Sequence, residues 1–292
     1  MTVAGVRESL VRQRSTWRPP LGGAAVSLAL ASLALVSSAG ASRAADRCPD
    51  IAQSARMLHD GDQYQAATLL FAAARFGCEA EARTLLDRGA AIDARDRDGA
   101  TALAKAAEAN KLALIRLFLE RGANVNTRAV DGSTPLFHAA EQDRGAAIAL
   151  LVEGGADPNI PGRKGLPPLA AAAYHGSADT VERLLKGGAD PNALDDEGKS
   201  AMVYAAGHAY APIVALLLQA GVDVNRRYAH GLTALMWAAG HDASAGVDDV
   251  EVTIKTLIDR GAALDLKDDR GETAADIARG LGHERAEKLL ER

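Results

Sequence analysis

The sequence is poor in aromatic residues and cysteine, and it carries no recognisable catalytic motif. Phe, Trp and Tyr make up 4% of its 292 residues, whereas hydrophobic residues, many of them alanine, make up 48%. This composition favours helices that pack closely through small side chains. The chain has no Gly-rich phosphate-binding loop, no His-Glu-x-x-His motif and no nucleophile elbow. We therefore predict neither an enzyme nor a bound cofactor.

The chain also lacks a stripe of basic residues. It has 33 Lys and Arg against 38 Asp and Glu, a formal net charge of −5. Nucleic acids and anionic lipids attract clustered Lys and Arg, so we predict no nucleic acid partner. An acidic chain associates most readily with a partner that presents a basic patch.

Long hydrophobic runs are absent except near the N-terminus. Residues 24–36 carry no charge, follow four arginines between residues 7 and 18, and precede small residues at 39–44. This layout predicts that residues 1–44 are a signal peptide, cleaved near residues 41–45, and that the protein is exported to the periplasm. Secretion, or an uncleaved anchor in the inner membrane, is the alternative. Cleavage would remove five arginines and one glutamate, and would change the formal net charge to −9.

One segment, residues 132–159, recurs along most of the chain; it reads GSTPLFHAAEQDRGAAIALLVEGGADPN. Its opening position recurs every 33 residues, and finally after 40, at Thr68, Thr101, Thr134, Pro167, Ser200, Thr233 and Thr273. Its closing glycine recurs in step at Gly89, Gly122, Gly155, Gly188, Gly221 and Gly261. A fixed period of this length indicates stacked structural repeats.

These repeats resemble the ankyrin repeat. The resemblance rests on the Thr-Pro-Leu at 134–136, the Ala-Ala at 139–140, the Leu-Leu at 150–151 and the Gly-Ala-Asp-Pro-Asn at 155–159. It covers about residues 66–292, and it implies an all-α solenoid of about seven ankyrin-type helix pairs joined by short hairpin turns. It also implies a role in binding other proteins, because the family is not one catalytic class.

We predict three parts: a signal peptide (1–44), an N-terminal helical cap (45–66) and an ankyrin repeat domain (67–292). The predicted repeats lie near residues 66–95, 96–128, 129–161, 162–194, 195–227, 228–267 and 268–292, the last being a C-terminal cap. The sixth repeat has an insertion at about residues 240–250. This insertion is either a functional loop or a tolerated surface change.

Local patterns predict helix ends and the core. Ser200 replaces Thr in the fifth repeat and should still cap a helix. Asn110 tolerates the left-handed backbone at the end of a first helix, whereas Asp143 and Ala209 suggest turns that depart from this geometry. The first predicted apolar ladder is Leu70, Leu103, Leu136, Leu169, Met202 and Leu235. The second is Leu86, Leu119, Val152, Leu185, Leu218 and Ile258.

Both cysteines would remain after cleavage of the signal peptide. Cys48 precedes the repeats, and Cys78 lies between the two helices of the first repeat. In an exported protein two cysteines favour a disulfide, which here would tie the N-terminal cap to the first repeat. Two unpaired thiols are the alternative.

Partner contacts are predicted on the concave face that the family resemblance implies. Tyr and Trp are frequent anchors of protein interfaces, and several lie near the ends of the first helices. The candidate contact residues are Phe76, His138, Gln142, Tyr174, His175, Tyr204, His208, Trp237, His241 and, in the insertion, Asp248. Alternatively, Trp237 packs between neighbouring helices.

His175, His208 and His241 are spaced 33 residues apart and so occupy the same place in successive repeats. A metal-binding or hydrolytic protein that uses this histidine strip is an alternative function. We do not favour it, because three imidazoles in a row would not surround one metal and no second-shell carboxylate supports them. We therefore predict no metal.

The predicted function is that of a monomeric protein-binding module in the periplasm or cell envelope. Its partner is another protein, and membrane contact is expected only if the N-terminal segment stays uncleaved. An inhibitor or immunity protein that plugs a toxin or an enzyme is the alternative within the same class.

Overall fold

The computed structural model describes residues 47–59, 61–241 and 245–291. The predicted signal peptide and residues 242–244 of the predicted insertion lie outside the described residues. The described ranges contain fifteen α-helices and no strand, which confirms the all-α class. No helix within them is long and apolar enough to cross a bilayer.

In chain order the helices are α1 (Cys48–Arg56), α2 (Gln63–Phe76), α3 (Glu79–Asp87), α4 (Ala102–Glu108), α5 (Leu112–Glu120), α6 (Pro135–Glu141), α7 (Gly145–Glu153), α8 (Pro168–Tyr174), α9 (Ala178–Lys186), α10 (Ala201–Gly207), α11 (Ala211–Gln219), α12 (Ala234–Ala239), α13 (Val247–Asp259), α14 (Ala274–Leu281) and α15 (Glu284–Leu290). Short 3-10 turns occupy Arg163–Gly165 and Ala229–Gly231.

Helices α2 to α15 form seven antiparallel-type pairs that stack in two rows. The first helix of each pair contacts the first helix of the next pair, from α2 through α14. The second helices contact one another in the same way, from α3 through α15. Helix α1 contacts both α2 and α3, so it extends the row of second helices by one member. This arrangement is the predicted solenoid of helix pairs.

Threonine caps fix the start of most first helices. Thr134 Oγ1 accepts a hydrogen bond from Phe137 N at 3.1 Å, and the Thr at residues 101, 233 and 273 does the same for its own helix. Ser200 occupies the N-cap position of α10, as expected, but its side chain makes no capping hydrogen bond. Thr68 does not open α2, because α2 begins five residues earlier, at Gln63, and Thr68 Oγ1 donates to Tyr64 O within the helix.

The turns after the first helices keep the left-handed backbone even without glycine. Asn110, Asp143 and Ala209 have φ of 54°, 55° and 61°, so the expected departure at Asp143 and Ala209 does not occur. Asp143 uses the position to bind the next repeat, where its Oδ1 accepts from Thr180 Oγ1 at 2.7 Å. Tertiary contact with the following repeat therefore outweighs the cost of a side chain at positive φ.

Asparagine side chains join the closing turns of successive repeats. Asn159 Nδ2 donates to Gly188 O at 3.1 Å, and its Oδ1 accepts from Asp190 N at 2.7 Å. Asn126 and Asn225 likewise donate to a glycine carbonyl and accept a backbone N–H of the following repeat. These amides satisfy backbone groups that the turns leave unpaired, and so they couple neighbouring repeats.

The core confirms the first predicted ladder and corrects the second. Every member of the first ladder is buried, at 2% exposure or less. The members of the second ladder, such as Leu119 and Leu185, are only half-buried. The buried row lies one residue earlier and consists of Leu85, Phe118, Leu151, Leu184, Leu217 and Leu257. Two consecutive apolar residues at this place in each repeat made the two registers hard to separate by sequence.

The N-terminal end and the sixth repeat differ from the other repeats. At the N-terminal end, Cys48 and Cys78 form a disulfide, as predicted, which ties α1 to the start of α3. In the sixth repeat, α13 has 13 residues, whereas α11 has nine. Residues 247–250 of the predicted insertion form the first turn of α13 and are therefore helix rather than loop.

Candidate interaction surface

The most prominent cluster of polar aromatic side chains lies where α8 and α10 end. Tyr174 is the last residue of α8, and His175 caps that helix. Tyr204 lies in α10, and His208 caps it. We call Tyr174, His175, Tyr204, His208 and Tyr210 the tyrosine–histidine cluster. The stacking of the fourth and fifth repeats brings its members together.

Tyr174 lies at the centre of this cluster. Its ring centroid lies 5.3 Å from that of His175, 5.6 Å from that of Tyr204 and 5.1 Å from that of His208. All three pairs are nearly perpendicular, with interplanar angles of 87–88°. Edge-to-face contacts of this kind stabilise aromatic pairs beyond simple burial. The rings therefore hold one another in position before any partner arrives.

Hydrogen bonding fixes Tyr204 further. Its hydroxyl donates to Asp195 Oδ2, and burial together with this bond raises the pKa of Tyr204. Lys199 Nζ lies 5.8 Å from the ring centroid of Tyr204 and 2.8 Å from Glu197 Oε2. The Tyr204 side chain is thus neutral and half-buried, and its hydroxyl already donates a hydrogen bond to Asp195.

Tyr210 belongs to the cluster but was not predicted. It precedes α11, and its ring stacks on His208 with a centroid distance of 5.8 Å and an interplanar angle of 26°. Gly176 makes room for it, because a Cβ at Gly176 would lie 2.7 Å from Tyr210 Cζ. The available signal was its position 33 residues after Ser177, at the start of a second helix that faces the end of a first helix.

The third repeat places a charged and polar group beside the cluster. Glu141 forms an ion pair with Arg163, yet burial raises the pKa of the Glu141 carboxyl. Burial lowers the pKa of the His138 imidazole, which favours its neutral form. Gln142 follows α6 and is exposed. Burial also lowers the pKa of His175, although His175 is more exposed than His138.

Phe76 and Trp237 lie on other first helices, α2 and α12. The guanidinium of Arg47 lies 5.9 Å from the ring centroid of Phe76. Trp237 is half-buried and packs on α10, since a Cβ at Gly207 would lie 3.8 Å from Trp237 Cε3. Its Nε1 makes no hydrogen bond within the part of the chain that the structure describes. This packing favours the alternative interpretation of Trp237 as a contact between helices.

The three histidines of the predicted strip have different surroundings. His208 contacts Tyr174 and Tyr210, whereas the ring of His241 lies 3.9 Å from that of His283 in the last repeat. His283 Nδ1 lies 2.8 Å from Ala239 O. Within residues 47–59, 61–241 and 245–291, the only group of three possible metal ligands lies elsewhere, at Cys48, Cys78 and Glu81.

Asp248 lies in the row of second helices and not with the tyrosine–histidine cluster. It is in the first turn of α13, where its side chain is 90% exposed. Arg285 of α15 pairs with both Asp248, at 3.0 Å, and Glu251. These ion pairs join the lengthened helix of the sixth repeat to the last repeat.

The stacked helix pairs define a helical-repeat protein. The family model described as ankyrin repeats (3 copies) matches residues 44–129, 69–162, 137–228 and 169–248. The chain therefore belongs to the ankyrin repeat family. Members of this family are generally protein–protein interaction modules and are typically non-enzymatic. A comparison with curated proteins gave no match.

Proposed function

We propose that this protein binds another protein through the tyrosine–histidine cluster. The observation that carries the proposal is the set of perpendicular rings around Tyr174, which are only partly buried and already in fixed positions. Tyrosine is a frequent anchor of interfaces, and a rigid anchor loses little conformational entropy on binding. Glu141 of the third repeat and Arg163 of the fourth repeat supply charged groups at the edge of the same surface.

We further propose that this binding takes place in the periplasm or cell envelope, and that the protein is a monomer there. Two observations support export: the signal-peptide layout of residues 1–44 and a disulfide between the only two cysteines of the chain. The negative charge of the remaining chain favours a partner with a basic patch, because complementary charge accelerates encounter.

Site-specific photo-crosslinking in the native cell tests this proposal. The probe replaces His175, an exposed member of the cluster, and so leaves the contacts of Tyr174 with Tyr204 and His208 in place. The matched control probe replaces Lys186, which lies on the second helix of the same repeat and is 73% exposed. We expect a discrete heavier product with the His175 probe alone, and mass spectrometry would then identify the partner.

Equal crosslinking at His175 and Lys186, or none at either position in a protein that is folded and exported, would contradict binding through the cluster. Affinity of the purified partner would then separate the two roles within this class. Tight one-to-one binding that blocks an activity of the partner assigns the protein as an inhibitor or immunity protein. Binding without loss of activity assigns it as a scaffold.

A further inference from the structure

The disulfide at the N-terminal end is part of a three-residue donor group. The ligand atoms of Cys48, Cys78 and Glu81 all lie within 4.8 Å of one another. Cys48 is the first residue of α1, Cys78 immediately precedes α3, and Glu81 lies in the first turn of α3. Two helix starts therefore bring two sulfurs and one carboxylate to the same point.

Glu81 is half-buried in the first turn of α3, and its carboxylate makes no hydrogen bond or ion pair with the described residues. Its neighbour Glu79 differs, because Glu79 Oε1 lies 2.9 Å from Arg83 Nη2 in an ion pair. The Glu81 carboxylate can therefore accept a cation without the loss of an existing ion pair.

We propose that the reduced form of this protein binds one Zn²⁺ through Cys48, Cys78 and Glu81. Zn²⁺ takes thiolate and carboxylate ligands at about 2.0–2.3 Å in a tetrahedron, and the fourth position would be filled by water. On reduction the two sulfurs would have to separate, and the closeness of the two helix starts would keep all three donors within reach of one metal ion. The carboxylate favours Zn²⁺ over softer ions such as Cu⁺.

The local electrostatics suit anionic ligands. Helices α1 and α3 have nine residues each, and the positive end of each helix dipole lies at its cysteine. The positive end of a helix dipole attracts an anionic ligand, and so it favours the thiolate form that binds metal. Cys78 is 2% exposed, where an unpaired thiolate would be costly but a metal-bound thiolate is not.

Metal binding and the disulfide exclude each other. A dithiol reductant gives two electrons and two protons to the S–S bond, which breaks to leave two thiols, while the reductant becomes a disulfide. Zn²⁺ then displaces both thiol protons to solvent and binds the two thiolates. In a reducing compartment Zn²⁺ would thus hold α1 on α3, and in an oxidising compartment the disulfide would do so. This inference does not depend on the proposed partner binding.

Zinc titration of the full chain against a chromophoric chelator tests the site. The reduced protein, kept under nitrogen with a phosphine reductant, should bind one more Zn²⁺ per chain than the disulfide form. The double variant Cys48→Ser/Cys78→Ser sets the background from the histidines, and it should match the disulfide form. With Co²⁺, only the reduced wild-type chain should show thiolate-to-metal absorption.

Single-residue variants test the carboxylate. Glu81→Gln should weaken Zn²⁺ binding by roughly tenfold or more, whereas the matched control Glu79→Gln should bind as the wild type does. The proposal is wrong if the reduced wild type binds no more Zn²⁺ per chain than the double Ser variant does. This holds whether or not α1 stays folded after reduction. It is also wrong in its assignment of Glu81 if the two Gln variants bind equally.

Discussion

Lys164 and His230 place side chains in the left-handed region of the backbone. Their φ values are 55° and 61°, and each is followed by a glycine that is also left-handed. The equivalent residue two repeats before Lys164, Asp98, does not have positive φ. The hairpin turns of the fourth and sixth repeats thus carry a conformational cost that the turn at Asp98 does not, because a Cβ clashes with the carbonyl in this region.

Replacement of Lys164 by Gly should stabilise the protein. The left-handed conformation costs a residue with a Cβ about 1–2 kcal/mol, and glycine removes this cost. The greater conformational freedom of glycine in the unfolded chain offsets part of the resulting stabilisation. Lys164 is exposed, so little packing is lost. We expect the free energy of unfolding to rise by about 0.5–1 kcal/mol, measured as a higher urea midpoint with an unchanged slope.

Asp98→Gly is the matched control, since Asp98 occupies the same repeat position with an ordinary backbone. It should lower the free energy of unfolding by about 0.5–1 kcal/mol, because only the entropic cost of glycine applies. A change of the same sign in both variants would show that the backbone conformation at Lys164 does not determine the result.

At the scale of residues, periodic apolar and capping positions were predictable, but side-chain direction was not. Thr134 and Leu136 behave as their positions predict, since each role depends on one repeat alone. Ala209 keeps positive φ, and Tyr210 joins the cluster, because both respond to the repeat packed beside them. The sequence pattern of one repeat does not contain that information.

Helix α1 is an element held by few contacts of its own. It buries only Ile51 and Ala55. Arg88 supports its C-terminal end, where the guanidinium donates to Ala55 O and, at 2.8 Å, to Leu58 O. The Cys48–Cys78 disulfide spans 30 residues and attaches the opposite end of the helix. Apart from the backbone, the disulfide is therefore the covalent bond that attaches α1 to the first repeat.

Loss of this disulfide should destabilise the N-terminal end of the array. The chain-entropy model gives about 3–4 kcal/mol for a loop of this length. We expect hydrogen exchange in α1 to α3 to accelerate in Cys48→Ala/Cys78→Ala, and in the wild type under reductant with a metal chelator present. Reductant should change nothing in the double variant. Unaltered exchange in α1 after reduction would mean that Arg88 and the apolar contacts suffice.

At the scale of elements, the sequence predicted the number and order of the helix pairs, but it did not predict where α2 and α13 begin. The start of α2 at Gln63 was missed, because the cap continues directly into the first repeat without a Thr boundary. The first turn of α13 was taken for part of a loop, although its Asp248 pairs with Arg285 of α15 in the next repeat. Both errors lie where the 33-residue period is interrupted.

Within the part of the chain that the structure describes, the repeats form a stack in which each repeat contacts its neighbours. The two rows of helices are built from contacts between adjacent repeats. Stability should then be a sum of repeat and interface contributions, and a local defect should spread only to adjacent repeats. Because contacts join adjacent repeats, the tyrosine–histidine cluster forms between the fourth and fifth repeats. It includes His175 and His208 but not His241.

Truncation of a central core residue tests this behaviour. Leu136 has no exposed surface, and Leu136→Ala should cost roughly 2–5 kcal/mol because it leaves a cavity. Hydrogen exchange should accelerate in α6 and α7 and in the flanking pairs, α4–α5 and α8–α9, while α14 and α15 keep their protection. Leu235→Ala, the same change three repeats later, should move the accelerated region to α12 and its neighbours. If both variants instead lost protection uniformly from α2 to α15, the array would unfold as one cooperative unit. The free energy that couples neighbouring repeats, including the hydrogen bonds of residues such as Asn159, would then have to exceed the free energy lost within the mutated repeat.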